Sequence, residues 1–147
     1  MTMHRRPVGR TRLLAAIGAL LMLGVCFLPW WTRGGGPDEL TTLGGDAFEG
    51  IGIVVFAAAI ATLALVTLPY ATERPVALDR WSSYAIIAAA GWLAFVYRIV
   101  QLGSINALSF DEPAQVFTNI PGLWVAGIGL LTLTRATYEM LGEPRLR

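Results

Sequence analysis

Charge-free apolar runs alternate with short charged segments along the whole chain. The runs are Leu13–Trp31, Gly50–Thr72, Trp81–Tyr97 and Pro113–Thr134, and almost every ionisable residue lies between or beyond them. Crossing the hydrocarbon core of a bilayer takes about 20 apolar residues of helix, so each run is long enough to span one. The pattern predicts an all-α fold, a membrane-spanning four-helix antiparallel bundle with helices near 12–31, 48–70, 81–103 and 119–138. Residues 1–11 are a basic tail, 12–138 the transmembrane domain and 139–147 a second short tail.

Boundary signals support these limits. Asn119 followed by Ile120-Pro121 reads as a cap with proline in the first turn of the last helix. Pro29 and Pro69 fall near helix ends, where interfacial water satisfies a lost backbone hydrogen bond. Arg33-Gly34-Gly35-Gly36-Pro37 reads as a flexible exit from the first span, and Asp111–Phe117 as a short interfacial helix opened by Pro113.

Small residues four apart let membrane helices approach closely. The sequence offers Ala15 with Ala19, Ala57 with Ala61 and Ala64, Ala85 with Ala89, Ala90 with Ala94 beside Gly91, and Gly122 with Ala126, Gly127 and Gly129. All four helices are expected to pack tightly, and the same pattern would serve oligomerisation.

Charge distribution gives the orientation. Nine arginines fall on the N-terminus, the loop between the second and third spans, and the C-terminal tail; only Arg33 and Arg98 fall on the other side. Positive charge on short loops marks the cytoplasmic face, so both termini are expected to be cytoplasmic, in a multi-pass protein of the plasma (inner) membrane. The outer side then sums to −4 and the inner side to +5, the positive-inside rule seen from both faces. Trp30, Trp31, Tyr97 and Trp124 would lie near the outer interface, and Tyr70, Trp81, Tyr84 and Tyr138 near the inner one. Trp92 falls at mid-depth and is expected to face a neighbouring helix or lipid.

Composition agrees with this class. Of 147 residues 55% are hydrophobic and 14% charged, against about 25% charge in a soluble domain. The arginines before Leu13 resemble a signal-peptide n-region. The run after them exceeds the usual h-region of about 7–15 residues and ends without a small-x-small site, so it reads as an uncleaved span. The arginine cluster suits anionic lipid headgroups. Nucleic-acid binding would need a further folded module.

Catalytic and metal-binding constellations are not legible. Cys26 and His4 are the single cysteine and histidine, so neither a Cys/His metal site nor a nucleophile–histidine pair can be assembled from them. Gly34-Gly35-Gly36 lacks the lysine of a phosphate-binding loop. No cofactor is indicated. The pointed residue is Arg98, about 25 Å along the third helix from its inner end and so near the outer edge of the hydrocarbon. Three readings stand beside one another: snorkelling to headgroups, pairing with Glu49 at the same depth, or contact with a substrate. With Tyr97 and Gln101 it would form a small polar cluster under the outer loops.

The Phe27-Leu28-Pro29-Trp30-Trp31 end of the first span, a glycine-rich outer loop and the Pro121-Gly122-Leu123-Trp124 entry to the fourth carry a resemblance. The chain resembles the small, uncharacterised bacterial four-helix integral membrane proteins whose first helix ends in Leu-Pro-Trp-aromatic. That likeness implies the layout and no activity. The expectation from the residues is a non-enzymatic membrane protein, an accessory or structural partner of another membrane protein or a self-associating bundle. The alternative is a small transporter or ligand-binding protein built on Glu49, Tyr97, Arg98 and Gln101.

Overall fold

The first helix stops six residues short of the end of its apolar run, and the reason is local. In a computed structural model describing residues 9–33, 43–71, 80–105, 108 and 114–142, α1 covers Arg10–Val25. Proline at 29 cannot donate and disfavours helix in the residue before it, so Cys26–Trp30 fold back instead. The carbonyls left over at the helix end are satisfied on the spot. Met22 O accepts from the Cys26 thiol (3.0 Å), Leu23 O from the Cys26 amide (3.3 Å), and Val25 O from the Trp30 indole N–H (3.0 Å) and the Leu28 amide (3.1 Å).

A short hairpin follows; of the expected flexible exit at 33–37, residues 34–37 lie outside those described. Strand β1 (Trp31–Arg33) pairs antiparallel with β2 (Leu43–Gly45), Trp31 opposite Gly45 and Thr32 opposite Gly44. Helices α2 (Ile53–Ala71), α3 (Trp81–Ser104), the one-turn α4 (Gln115–Asn119) and α5 (Pro121–Gly142) complete the order. The predicted interfacial helix thus begins at Gln115; residues 111–113 lie outside those described, as do 1–8, 72–79 and 143–147.

The described part of the chain is predominantly helical. Two helices, α2 and α3, are long and apolar enough to cross a membrane, with mean hydropathies of 2.2 and 1.7 over their best windows. Helix α1 has 16 residues, about 24 Å at 1.5 Å per residue, and α5 carries Arg135 and Glu139 in its later turns.

The four long helices pack in a ring: α1 on α2 and α5, α3 on α2 and α5. Gly18 lies at Gly129 and Pro29 at Gly122, Gly91 at Leu130 and Phe95 at Gly127, Gly91 at Ala58 and Arg98 near Gly50, so α1/α5, α3/α5 and α2/α3 run antiparallel and, around the ring, α1/α2 does too. The ends at Arg10, Ala71, Trp81 and Gly142 therefore share one side, and the hairpin closes the other. The tightest seam joins α1 and α5. A Cβ on Gly18 would stand 2.8 Å from Gly129 O, and one on Gly129 2.9 Å from Gly18 O, so the two backbones touch. Ala15, Ala19, Met22, Ala126, Leu130, Leu133 and Ala136 fill the seam and are almost completely buried.

Two expected packing faces are corrected. On α2 the buried residues are Val55, Ala58, Ala59, Thr62 and Val66, while Ala57 and Ala64 point outward. On α3 they are Tyr84, Ala88, Gly91, Ala94, Phe95, Arg98 and Leu102, while Ala89 and Ala90 are exposed. Alanine occurs on several faces of both helices, so its spacing does not choose among them; the large partners Tyr84 and Phe95 do. Trp30 is likewise in the core, wholly buried and edge-on to Phe95 at 6.4 Å, rather than at the lipid boundary. Its space comes from Gly122, whose Cβ would lie 2.6 Å from the indole.

Candidate functional site

The hairpin end of the ring holds the predicted polar cluster. Two hydrogen bonds tie the hairpin down: Trp30 N–H donates to Gly45 O (2.8 Å), and the Thr32 hydroxyl donates to Asn119 O (2.8 Å) at the end of α4. Past β2, the Asp46 carboxylate accepts the Phe48 amide at 2.9 Å, and the chain turns through Gly50 at φ 88° before α2 begins. That left-handed conformation favours glycine. The residue also borders the cluster: a Cβ there would make ordinary contacts, 3.4 Å from Arg98 Nη1 and 4.0 Å from Gln101 Oε1.

Arg98 reaches this place from the second-last turn of α3. Its side chain is 6% exposed, and Nη1 donates to Gln101 Oε1 at 2.7 Å, one turn further along the helix. Its Nε is buried and has no hydrogen-bond partner. A buried guanidinium with an unused donor is costly, since each unmet polar group forfeits about 1–3 kcal/mol and charged groups more. Snorkelling, which keeps the charged head in the headgroup layer, does not describe a residue covered to this degree.

Glu49 lies on the opposite wall. Its carboxylate accepts the Trp31 indole N–H at 3.3 Å and sits over Gly45, where any side chain would collide with both Glu49 and the indole. Glu49 and Arg98 do not form an ion pair within 4.0 Å; among the described residues Arg135 and Glu139 on α5 do, at 3.0 Å. The expected pair is therefore a pair across a gap. Tyr97 is 57% exposed and stands on the outward face of α3 with Leu93 and Val100, outside the cluster.

Between the two walls lies an open cleft of about 290 Å³, lined by Trp31, Glu49, Gly50, Arg98, Gln101, Leu102 and Ile105. Of the four predicted site residues it brings together Glu49, Arg98 and Gln101. Trp31 and Gly50 were missed. Trp31 was read only as an interfacial aromatic, and nothing short of the hairpin register places it beside Glu49. Gly50 carried a signal, a glycine directly after the glutamate that opens the second span. Elsewhere, Trp92 donates to Thr134 Oγ1 at 2.9 Å and meets Phe95 edge-on at 5.7 Å, which joins α3 to α5 at mid-depth.

Comparison with protein-family models, with curated proteins and with solved structures finds no match to this chain. What the geometry defines is a class: a helical protein, two of whose helices can cross a membrane, with a charged cleft at one end.

Proposed function

We propose that the chain is a non-enzymatic integral membrane protein of the plasma membrane, a four-span bundle with both termini cytoplasmic, that works by packing laterally against another membrane protein or a second copy of itself. The observation that carries this reading is the outward face of α2, the most apolar helix. Ala57, Ala61 and Ala64 lie there at helical spacing, two of them exposed and Ala61 half-covered, so the small residues that permit close helix approach are unused within the chain. Large apolar side chains cover the rest of the outer surface; Leu93 is 74%, Ile86 71% and Val100 65% exposed. Water would penalise such a belt, which exceeds what a soluble monomer displays, and lipid would not. The end bearing Arg10, Arg12, Arg80 and Arg135 fits the cytoplasmic side.

The buried hydroxyls support a structural rather than conducting core. Thr62 donates to Ala58 O and Thr137 to Leu133 O, each at 2.8 Å within its own helix, so neither offers a polar surface to a permeant. The test is crosslinking in mild detergent with a cysteine at Ala57 or Ala64, in a background where Cys26 is serine, followed by mass spectrometry. A membrane neighbour captured through the cysteine at Ala57, and lost when Ala64 is replaced by leucine with that cysteine kept and thermal stability retained, is the expected result. A protein that stays strictly monomeric and captures nothing from its native membrane would contradict it.

The second reading, a ligand-binding membrane protein, is favoured by one specific observation, the outward-open cleft beside Arg98. The two readings are compatible, since the cleft and the α2 face occupy different parts of the surface.

A further inference from the structure

The cleft at the hairpin end presents a cation and an anion that do not neutralise each other. Arg98 contributes a guanidinium whose Nη1 is engaged by Gln101 and whose buried Nε has no partner among the described residues. Glu49 contributes an exposed carboxylate held by a single long bond from Trp31. Both line one opening, separated by more than ion-pair distance. A simple anion would satisfy Arg98 and meet repulsion from Glu49; a simple cation would do the reverse. A molecule carrying both charges satisfies both walls. Charged groups left apart at the edge of a low-dielectric medium are stabilised most by such a complementary ligand.

We infer that this cleft binds a phosphate–ammonium zwitterion, with the phosphate oxygens on the Arg98 guanidinium and a primary ammonium on the Glu49 carboxylate. Three features select this chemistry. The planar guanidinium matches phosphate oxygens in a fork geometry. A carboxylate accepts hydrogen bonds from a primary ammonium, whereas a quaternary one has none to donate. The cleft is open, with the half-exposed Ile105 as an apolar edge above the buried Leu102, which suits the end of a longer molecule rather than a small solute needing enclosure. At about 290 Å³ it is close to the lower bound of about 300 Å³ for small-molecule sites. Two sources carry the same chemistry: the headgroup of phosphatidylethanolamine and a free phosphoethanolamine ester. The lipid source rests on the membrane reading above; the zwitterion chemistry does not.

The experiment reconstitutes the full-length protein in nanodiscs of mixed phosphatidylethanolamine, phosphatidylglycerol and phosphatidylcholine and identifies retained lipid by native mass spectrometry. Free O-phosphoethanolamine is titrated in parallel against detergent-solubilised protein. Enrichment of phosphatidylethanolamine, reduced at least tenfold in Arg98→Gln, is expected. Glu49→Gln alters an exposed group, and its expected effect is a switch of preference toward phosphatidylglycerol, which a merely structural role would not produce. Thermal unfolding of both variants separates lost binding from lost fold. Tight binding of O-phosphoethanolamine without lipid supports the chemistry and assigns the soluble source. Retained lipid without headgroup preference, or a preference unchanged in Glu49→Gln and in a folded Arg98→Gln, overturns the proposal. Failure of the membrane reading looks different: the protein would be released from membranes by alkaline carbonate, and the soluble titration would still decide the site.

Discussion

Gly18 and Gly129 set how closely α1 and α5 approach, and no other residue fits there. Adding a leucine side chain at Gly18 forces its Cβ against Gly129 O at 2.8 Å and Leu133 N at 3.0 Å, backbone atoms that cannot step aside. Overpacking of this kind costs about 1–3 kcal/mol. Gly18→Leu is therefore expected to lower the midpoint of thermal unfolding in detergent. Gly24→Leu, on the same helix with nothing within 4 Å of a Cβ, is its control and is expected to leave it in place. Equal effects of the two would refute the close seam. Polar residues make a second test. Because Glu49 and Arg98 stand across a gap, a double-mutant cycle of Glu49→Gln and Arg98→Gln is expected to couple by less than about 0.5 kcal/mol. Trp92→Phe with Thr134→Val, which removes a bond at 2.9 Å, is expected to couple by about 0.6 kcal/mol, a common value for such bonds between membrane helices. Strong coupling in the first cycle would indicate a direct ion pair and contradict the cleft.

At the scale of elements, the hairpin assembles the cleft. It swings the chain after α1 across the end of the ring, puts Trp31 against Glu49, and anchors to the end of α4 through the Thr32 hydroxyl. Thr32→Val removes that anchor while keeping the β-branched shape. Hydrogen exchange at Trp30 and Gly122, whose amides donate to Gly45 O and Pro29 O, is expected to speed up while the middles of α3 and α5 stay protected. Unchanged exchange there would show that the hairpin needs no such tether. The helices themselves were legible in advance. Run length and the absence of charge placed α2, α3 and α5 within a few residues of their observed ends, because burying uninterrupted apolar sequence has few solutions. The hairpin was not legible, since a glycine-rich stretch of three-residue strands carries no alternation to read. Neither was the choice of packing face on α2 and α3, where alanine occurs all round the helix. The site was half legible: burial cost singled out Arg98, and depth matched it to Glu49, but Trp31 and Gly50 join them through tertiary pairing alone.

The proposed bundle crossing the membrane four times rests, at the scale of the whole molecule, on the ring of helices, the apolar outer belt and the arginine-bearing end. Within that proposal helix α1 is the demanding case, because its 16 residues give about 24 Å against a hydrocarbon core of about 30 Å. The folded-back segment after it, with the last carbonyls of α1 satisfied by Cys26, Leu28 and Trp30, would have to make up the difference. The most direct measurement is cysteine accessibility in intact cells, with single cysteines placed in a Cys26→Ser background at Arg80, Ser104, Ala114 and Gly142, all exposed positions. A membrane-impermeant maleimide is expected to label Ser104→Cys and Ala114→Cys from outside, and Arg80→Cys and Gly142→Cys only after the cells are opened. Labelling of Arg80→Cys or Gly142→Cys in sealed cells, or of none of the four, would contradict the four-span arrangement with both termini inside.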